Sequence, residues 1–73
     1  MKLINIGPYE YCGRIKLTAT DGKVYVGEAD VATMKEDEEE LGIEDPSDWL
    51  TVIIDGRAVD FRPEDIKLIE KIA

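Results

Sequence analysis

The chain has 73 residues, of which 44% are hydrophobic and 36% are charged, and its formal net charge is −8. This composition is typical of a globular protein, and the length is near the lower limit at which a single hydrophobic core can hold a fold. For a chain of this length we expect a single domain, with little room for the deep cleft that usually lies between domains. We therefore predict one domain spanning residues 1–73.

The chain contains one cysteine and no histidine. One cysteine cannot form an internal disulfide, and small secreted domains normally contain several, so we expect a cytoplasmic protein. We interpret Cys12 as a small buried hydrophobic residue, because no histidine is present to activate its thiol. No apolar stretch is long enough for a signal peptide or a transmembrane span, and we expect no membrane partner.

The sequence lacks the residue patterns on which common enzyme classes depend. It has no serine clustered with a base, no glycine-rich loop for phosphate groups, and no Cys or His at metal-ligand spacing. We therefore expect a non-catalytic protein that uses no cofactor or metal. DNA is not an expected partner either.

Negative charge is concentrated in one segment of the chain. Residues 36–48 contain eight Asp or Glu and no Lys or Arg, and without these eight the chain has nine acidic and nine basic residues. We predict a long acidic loop at about residues 35–48, called the acidic segment below. A helical turn over residues 35–40 is the alternative, but adjacent like charges on a short helix repel, which favours the loop.

Two strands joined by a hairpin are predicted before the acidic segment. Apolar and polar residues alternate over residues 14–20, which is typical of a half-buried strand. Asp21-Gly22 predicts a primed turn, because Gly adopts positive φ without steric cost. The second strand follows over residues 23–31. Gly27 interrupts it, which indicates a bend or bulge of the kind that a small barrel requires.

Two further strands are predicted after the acidic segment. Residues 49–55 are rich in aromatic and β-branched residues and are predicted to form the third strand. Asp55-Gly56 is a second hairpin turn of the same type. It leads into the fourth strand, residues 57–61, and we expect Val59 and Phe61 to face the core.

The C-terminal residues are predicted to form a fifth strand. A 3₁₀ turn is expected at residues 62–65, with the strand at residues 66–72. A C-terminal helix is the alternative, since Ile66 and Ile69 also fit helical spacing. We favour the strand because a fifth strand would close the barrel, whereas four strands leave two open edges.

The order of these elements resembles the Sm-like family of small β-barrels, and SH3-like barrels share much of the pattern. Residues 21–29, Asp-Gly-Lys-Val-Tyr-Val-Gly-Glu-Ala, are similar to the first Sm motif, whose core is Asp-Gly-x-x-Tyr-x-Gly-x-hydrophobic. Residues 61–66 lie where the second motif would fall. The resemblance covers roughly residues 8–72. It implies an all-β, strongly bent, five-stranded barrel with the long acidic loop between strands 2 and 3.

The resemblance also implies a function, because Sm-like proteins are generally rings of six or seven subunits that bind single-stranded RNA. Their base-contacting residues lie in the loop after the second strand, and an Arg-Gly pair lies in the second motif. Here residues 31–35 contain no aromatic residue, Asp or Asn, and Pro63 follows Arg62 in place of glycine. Base stacking needs an aromatic face, and an acidic loop repels a polyanion.

We therefore predict a binding or assembly module that acts through protein–protein contacts or self-association. The barrel edge or an apolar face would contact the partner, and the acidic loop would tune partner choice electrostatically. The alternative is a divergent RNA-binding oligomeric ring, in which Lys35, Arg57 and Arg62 contact phosphates. The candidate protein-contact residues are Glu36, Asp37, Glu38, Glu39, Glu40 and Trp49.

Overall fold

A computed structural model describes residues 3–72 of the chain, which are mostly β-structure. The predicted all-β class is confirmed, and so are the five strands. These strands are β1 (Gly13–Ala19), β2 (Val24–Thr33), β3 (Trp49–Ile54), β4 (Arg57–Phe61) and β5 (Ile66–Lys71). The other elements are two 3₁₀ turns (Gly7–Tyr9 and Pro63–Asp65) and one short helix, α1 (Lys35–Glu40). All strand pairs are antiparallel, in the order β4-β3-β2-β1-β5.

The sheet does not close into a barrel. Within residues 3–72, β4 and β5 are the two edge strands, and no pairing joins them. The prediction that the fifth strand closes the barrel is therefore wrong. The sheet is nevertheless curved, because only residues 62–65 link β4 to β5. In a flat sheet these edges would lie about 19 Å apart, whereas a link containing a 3₁₀ turn spans only about 13 Å.

Strand β2 carries much of this curvature. Its first part, residues 24–29, pairs with β1, and its last part, residues 28–33, pairs with β3. The register shifts between Ala29 and Ala32, which is the signature of a bulge. The Ala32 amide at this bulge donates a 2.9 Å hydrogen bond to the Glu10 carboxylate, so its N–H group has a partner.

Gly27 lies before the bulge and has a different role from the one that its position in the strand predicts. A Cβ atom at Gly27 would overlap the carbonyl oxygen of Ile53, and it would lie 2.9 Å from Cγ1 of Ile54. Gly27 therefore allows β3 to pass close to β2, while the irregularity itself falls at residues 29–32.

The two Asp-Gly hairpins differ in geometry. At the second turn both Asp55 and Gly56 have positive φ (51° and 77°), which is the primed turn that the sequence predicts. At the first turn positive φ is confined to Gly22, at 92°. The Asp21 side chain accepts a 2.9 Å hydrogen bond from the Lys23 amide, which stabilises a turn that is longer than two residues. The prediction of a primed turn at Asp21-Gly22 is therefore wrong.

The core lies on one side of the sheet and takes residues from every strand. The buried hydrophobic residues are Ile6, Ile15, Leu17, Ala19, Ala29, Ala32, Leu50, Val52, Phe61, Ile66 and Ile69. Cys12 is half-buried and packs against this core, close to its predicted role as a small hydrophobic residue. Val59, by contrast, is 36% exposed. It pairs with the fully buried Val52, so it faces the core side, but the open sheet does not cover it.

A bulge in β5 explains why the isoleucines of this strand also fit helical spacing. In the pairing with β1, Thr18 faces Leu68 and Ala19 faces Ile66, so Lys67 is an extra residue in a bulge. The bulge separates the buried residues Ile66 and Ile69 by three positions instead of two. The predicted strand is confirmed, and the helical spacing of its isoleucines comes from this bulge.

Candidate functional site

The first part of the acidic segment is a helix, so the prediction of a loop throughout residues 35–48 is wrong. Residues Lys35–Glu40 form α1. Asp48 accepts a 2.7 Å hydrogen bond from the Lys35 amide, and Glu38 accepts a 2.9 Å hydrogen bond from the Ser47 amide. The two ends of the segment are thus tied together by carboxylates. The repulsion that disfavours the helix is outweighed by partners that lie outside the helical stretch.

The C-terminal end of α1 is also fixed. Gly42 has φ of 75°, and its amide donates to the Glu39 carbonyl at 3.1 Å. The Ile43 amide donates to the Glu38 carbonyl at 3.0 Å. This pair of bonds is the Schellman motif, which satisfies the last carbonyls of a helix and requires a left-handed residue that Gly adopts most easily.

The acidic segment therefore presents a fixed tip, which we define as residues 39–45. Leu41 is 78% exposed and Ile43 is 45% exposed, so two large apolar side chains project from a surface rich in carboxylates. Among the predicted contact residues, Glu38 is half-buried by its bond to Ser47, and the others of α1 are exposed: Glu36, Asp37, Glu39 and Glu40. No group of carboxylates in residues 3–72 is arranged to hold a metal ion.

Trp49 and Arg62, which the sequence assigns to different hypotheses, are in contact. The Arg62 guanidinium carbon lies 4.7 Å from the centre of the Trp49 ring, in a cation–π arrangement. Arg62 also forms a 3.7 Å ion pair with Glu64. Trp49 is half-buried at the start of β3. One face of its ring is thus already covered by a cation from the same chain.

The three predicted phosphate contacts do not form one cluster. Lys35 and Arg62 line the same shallow concavity, but Glu39 and Asp45 line it with them. Arg57 lies elsewhere, directly after the Asp55-Gly56 turn. The structure thus provides no concentrated positive surface from these residues, and RNA binding through them gains no support.

A second surface, which the predicted site residues do not include, lies on the side of the sheet opposite the core. We call it the outer face. Directly opposed residues of antiparallel strands share a face, and Val24, Thr18 and Leu68 form one such row across β2, β1 and β5. The next row on the same face consists of Val26, Lys16 and Glu70.

Three of the six residues in these two rows of the outer face are apolar and exposed. Val24, Val26 and Leu68 are 52%, 41% and 48% exposed. A contiguous exposed apolar patch on a small protein often marks an interaction surface. The sequence prediction missed this patch, because a two-residue turn at Asp21-Gly22 would bring Val24 opposite the inward residue Ala19, whereas in the structure Val24 pairs with the outward residue Thr18.

The two sheet edges complete the candidate surfaces. Four of the five β4 residues are exposed, and so are four of the six in β5. In a two-residue hairpin the residues next to the turn exchange both backbone hydrogen bonds, and such pairs then alternate along the ladder. Arg57, Val59 and Phe61 therefore bond to β3, while the backbone groups of Ala58 and Asp60 point away from the sheet.

No helix within residues 3–72 is long and apolar enough to span a membrane. Comparison of the chain with known proteins found no matching protein family, no similar curated protein and no similar solved structure.

Proposed function

We propose that this chain is a small non-catalytic assembly module that associates through the open edges of its sheet. The observation that carries the proposal is the exposed edge of β4, whose outward N–H and C=O groups at Ala58 and Asp60 have no strand beside them within residues 3–72. Such an edge is a template for an added strand. The strand proposed for it is β5 of a second copy, because β5 is the other open edge of the same sheet.

The size of the protein supports association. A domain of 73 residues buries a smaller fraction of its unfolded surface than a larger domain does, so its stability margin is narrow and a partner that covers apolar area adds to it. Val59 lies on the core side of β4 but is not covered by the sheet. A strand added beside β4 would extend the core over this side chain.

The proposed fold family is Sm-like or SH3-like. Its support is the order of elements: two strands around Asp21-Gly22, a bent β2, two strands around Asp55-Gly56, and a 3₁₀ turn before β5. This is the order on which the sequence resemblance rests.

The acidic segment would tune which partners bind. Arg62 follows β4 directly and lines a concavity with Glu39 and Asp45 of the acidic segment. A strand lying along β4 would therefore end close to the carboxylates of Glu39 and Asp45. Charges at the rim of an interface change association rates and exclude like-charged partners more than they add affinity.

The test combines native mass spectrometry of the untreated protein with one edge variant. Ala58→Pro removes an outward N–H without removing a β3–β4 hydrogen bond, so it should leave the fold intact and reduce the assembly to monomers. Ala58→Thr is the matched control, because it keeps the N–H and favours a strand. Assemblies that persist in Ala58→Pro, or a monomeric wild-type protein, would contradict edge association.

The same spectrum tests the RNA alternative. A hexamer or heptamer that carries RNA mass would replace the proposed function with an RNA-binding ring. Its binding to a uridine-rich oligonucleotide should then fall steeply as salt increases.

A further inference from the structure

The two edge strands differ in which side of the sheet their outward backbone groups belong to. In β4 these groups belong to Ala58 and Asp60, which alternate with the core-side residue Val59 and therefore lie on the outer face. A strand that pairs with β4 thus bonds to residues of the outer face.

In β5 the outward groups belong to the core side. The Ile72 amide donates a 3.0 Å hydrogen bond to the Arg14 carbonyl, so these two residues form a hydrogen-bonded pair. Such pairs alternate along an antiparallel ladder, so Glu70 and Leu68 also bond to β1, while the backbone groups of Ile69 point outward. Because Ile69 is buried in the core, a strand that pairs with β5 bonds to the core side.

These bonding patterns determine how β5 of one copy can lie beside β4 of another. In an antiparallel pair the residues that exchange hydrogen bonds are directly opposed and share a face. Ala58, on the outer face, would then oppose a core-side residue of the second copy, such as Ile69. The two copies therefore have their cores on opposite sides of the joined sheet.

The curvature of the sheet favours this reversed arrangement. Neighbouring strands are antiparallel throughout, so the first and fifth strands of the sheet, β4 and β5, run in the same direction when the sheet is laid flat. A second copy with its core on the same side would therefore pair in parallel and continue the same curve. At the link between β4 and β5 this curve leaves only about 13 Å, less than the roughly 19 Å width of a second sheet. A reversed copy curves away from the link, and its antiparallel pairing is slightly more stable per residue.

One antiparallel register matches the side chains of the two edges. It pairs apolar residues with each other and joins residues of opposite charge: Ala58 with Ile69, Val59 with Leu68, and Arg57 with Glu70 of the second copy. Val59 and Leu68 are 36% and 48% exposed in the single copy. Glu70 already opposes Lys16 across β5 and β1, so its carboxylate would lie between two cations.

The neighbouring registers match less well. A shift by two residues in one direction sets Val59 against Glu70 and Ala58 against Lys71, so charged side chains oppose apolar ones. A shift in the other direction sets Ala58 against Lys67, where the bulge interrupts the regular spacing of β5.

We propose that β5 of a second copy pairs with β4 in the antiparallel direction, with Leu68 opposite Val59 and Glu70 opposite Arg57. The inference rests on the proposed edge association and adds its direction, its register and the residues that set its specificity. Leu68 of the second copy covers Val59, which its own sheet leaves exposed. Because Leu68 and Val24 share a row, the apolar row of the outer face continues across the boundary between the copies.

Cysteine cross-linking tests the register directly. Val59 and Leu68 would form a non-hydrogen-bonded pair with Cα atoms about 4.5 Å apart, within the range of a disulfide. In a Cys12→Ala background, a mixture of Val59→Cys and Leu68→Cys chains should therefore form a cross-linked heterodimer under mild oxidation. A mixture of Val59→Cys and Glu70→Cys chains, the matched control, should cross-link much less, because diagonal neighbours lie about 7–8 Å apart. Preferential cross-linking of the control, or of Val59→Cys with itself, would overturn the register.

Charge reversal tests the same register without cysteine. Arg57→Glu and Glu70→Arg should each weaken assembly roughly tenfold in sedimentation velocity, whereas the double variant should assemble as the wild-type protein does. The two residues lie on opposite edges of the sheet, so this recovery requires contact between copies. Lys23→Glu changes the net charge as much as Arg57→Glu does, but it directly precedes β2, the middle strand, and should leave assembly unchanged.

The outcomes separate this register from the proposed function. If Ala58→Pro is monomeric and the wild-type protein assembles, but the charge reversals have no effect or the double variant does not recover, edge association stands and the register is wrong. A monomeric wild-type protein, or an Ala58→Pro variant that still assembles, overturns both.

Discussion

Substituting Gly27 by Ala tests the central feature of the fold, the close passage of β3 across β2. Its φ is not in the left-handed region, so the backbone itself accepts alanine. In a strand interior the change from Gly to Ala normally stabilises a protein by about 0.5–1 kcal/mol. Here the added methyl group would overlap the carbonyl oxygen of Ile53 and would crowd Val52, which is fully buried. We therefore expect the opposite sign.

The magnitude follows from the atoms that the methyl group meets. Overpacking in a core costs typically about 1–3 kcal/mol, and a backbone oxygen held in a sheet cannot rotate away as a side chain does. We expect a loss near the upper end, about 3 kcal/mol. A domain of 73 residues has a total stability of roughly 4–11 kcal/mol. The corresponding fall in Tm is about 12–24 °C.

The assay is urea and thermal denaturation followed by circular dichroism, with two matched glycine variants. Apart from its chain neighbours, a methyl group on Gly7 would meet no atom closer than 3.4 Å, so Gly7→Ala lacks the overlap with a backbone oxygen and should cost clearly less than Gly27→Ala. Gly13 has open space but φ of 100°, so Gly13→Ala measures backbone strain without overlap. If Gly27→Ala is as stable as Gly7→Ala, then β3 does not pass close enough to β2 for Gly27 to be required there.

Three further substitutions test the acidic segment and the core. Gly42→Ala should cost about 1–2 kcal/mol locally, because its φ is positive, and hydrogen exchange should accelerate at the end of α1 while core amides are unchanged. Asp48→Ala should accelerate hydrogen exchange of the Lys35 amide, with a loss of about 1 kcal/mol of local stability. Asp48→Asn keeps an acceptor oxygen and should restore protection. Equal exchange rates in the two variants would show that Asp48 does not cap the helix. Leu50→Ala should lower the free energy of unfolding by about 2–5 kcal/mol, whereas Leu41→Ala, at an exposed position, should change it by less than about 0.5 kcal/mol.

The strands could be predicted because their signals are local. Alternation in β1, β-branched residues in β3 and the Asp55-Gly56 turn each depend on residues a few positions apart. Closure of the sheet depends instead on how far β4 and β5 curve towards each other, which no local pattern contains. The same limit applies to Val59, whose face follows from alternation but whose exposure follows from the missing neighbour strand.

The acidic segment could not be predicted for a related reason. Charge repulsion within residues 36–40 is visible in the sequence, whereas the bonds that oppose it join α1 to residues 47 and 48, across the loop. The sequence also contains a helix-ending signal at Gly42, since Gly commonly follows the last residue of a helix. A carboxylate at Asp48 has no local signature as a cap, because capping residues normally directly precede the helix.

Contact between Trp49 and Arg62 has a consequence for both functional hypotheses. A partner that stacks on this face of Trp49, whether a nucleic acid base or a cationic side chain, first has to displace the guanidinium that covers it. Arg62 in turn loses its ion pair with Glu64 if it moves to a phosphate. The outer face and the edge of β4 impose no such cost, because their side chains and backbone groups already face solvent. We therefore propose the outer face and the edge of β4, rather than the Trp49 ring, as the surfaces that a partner would contact.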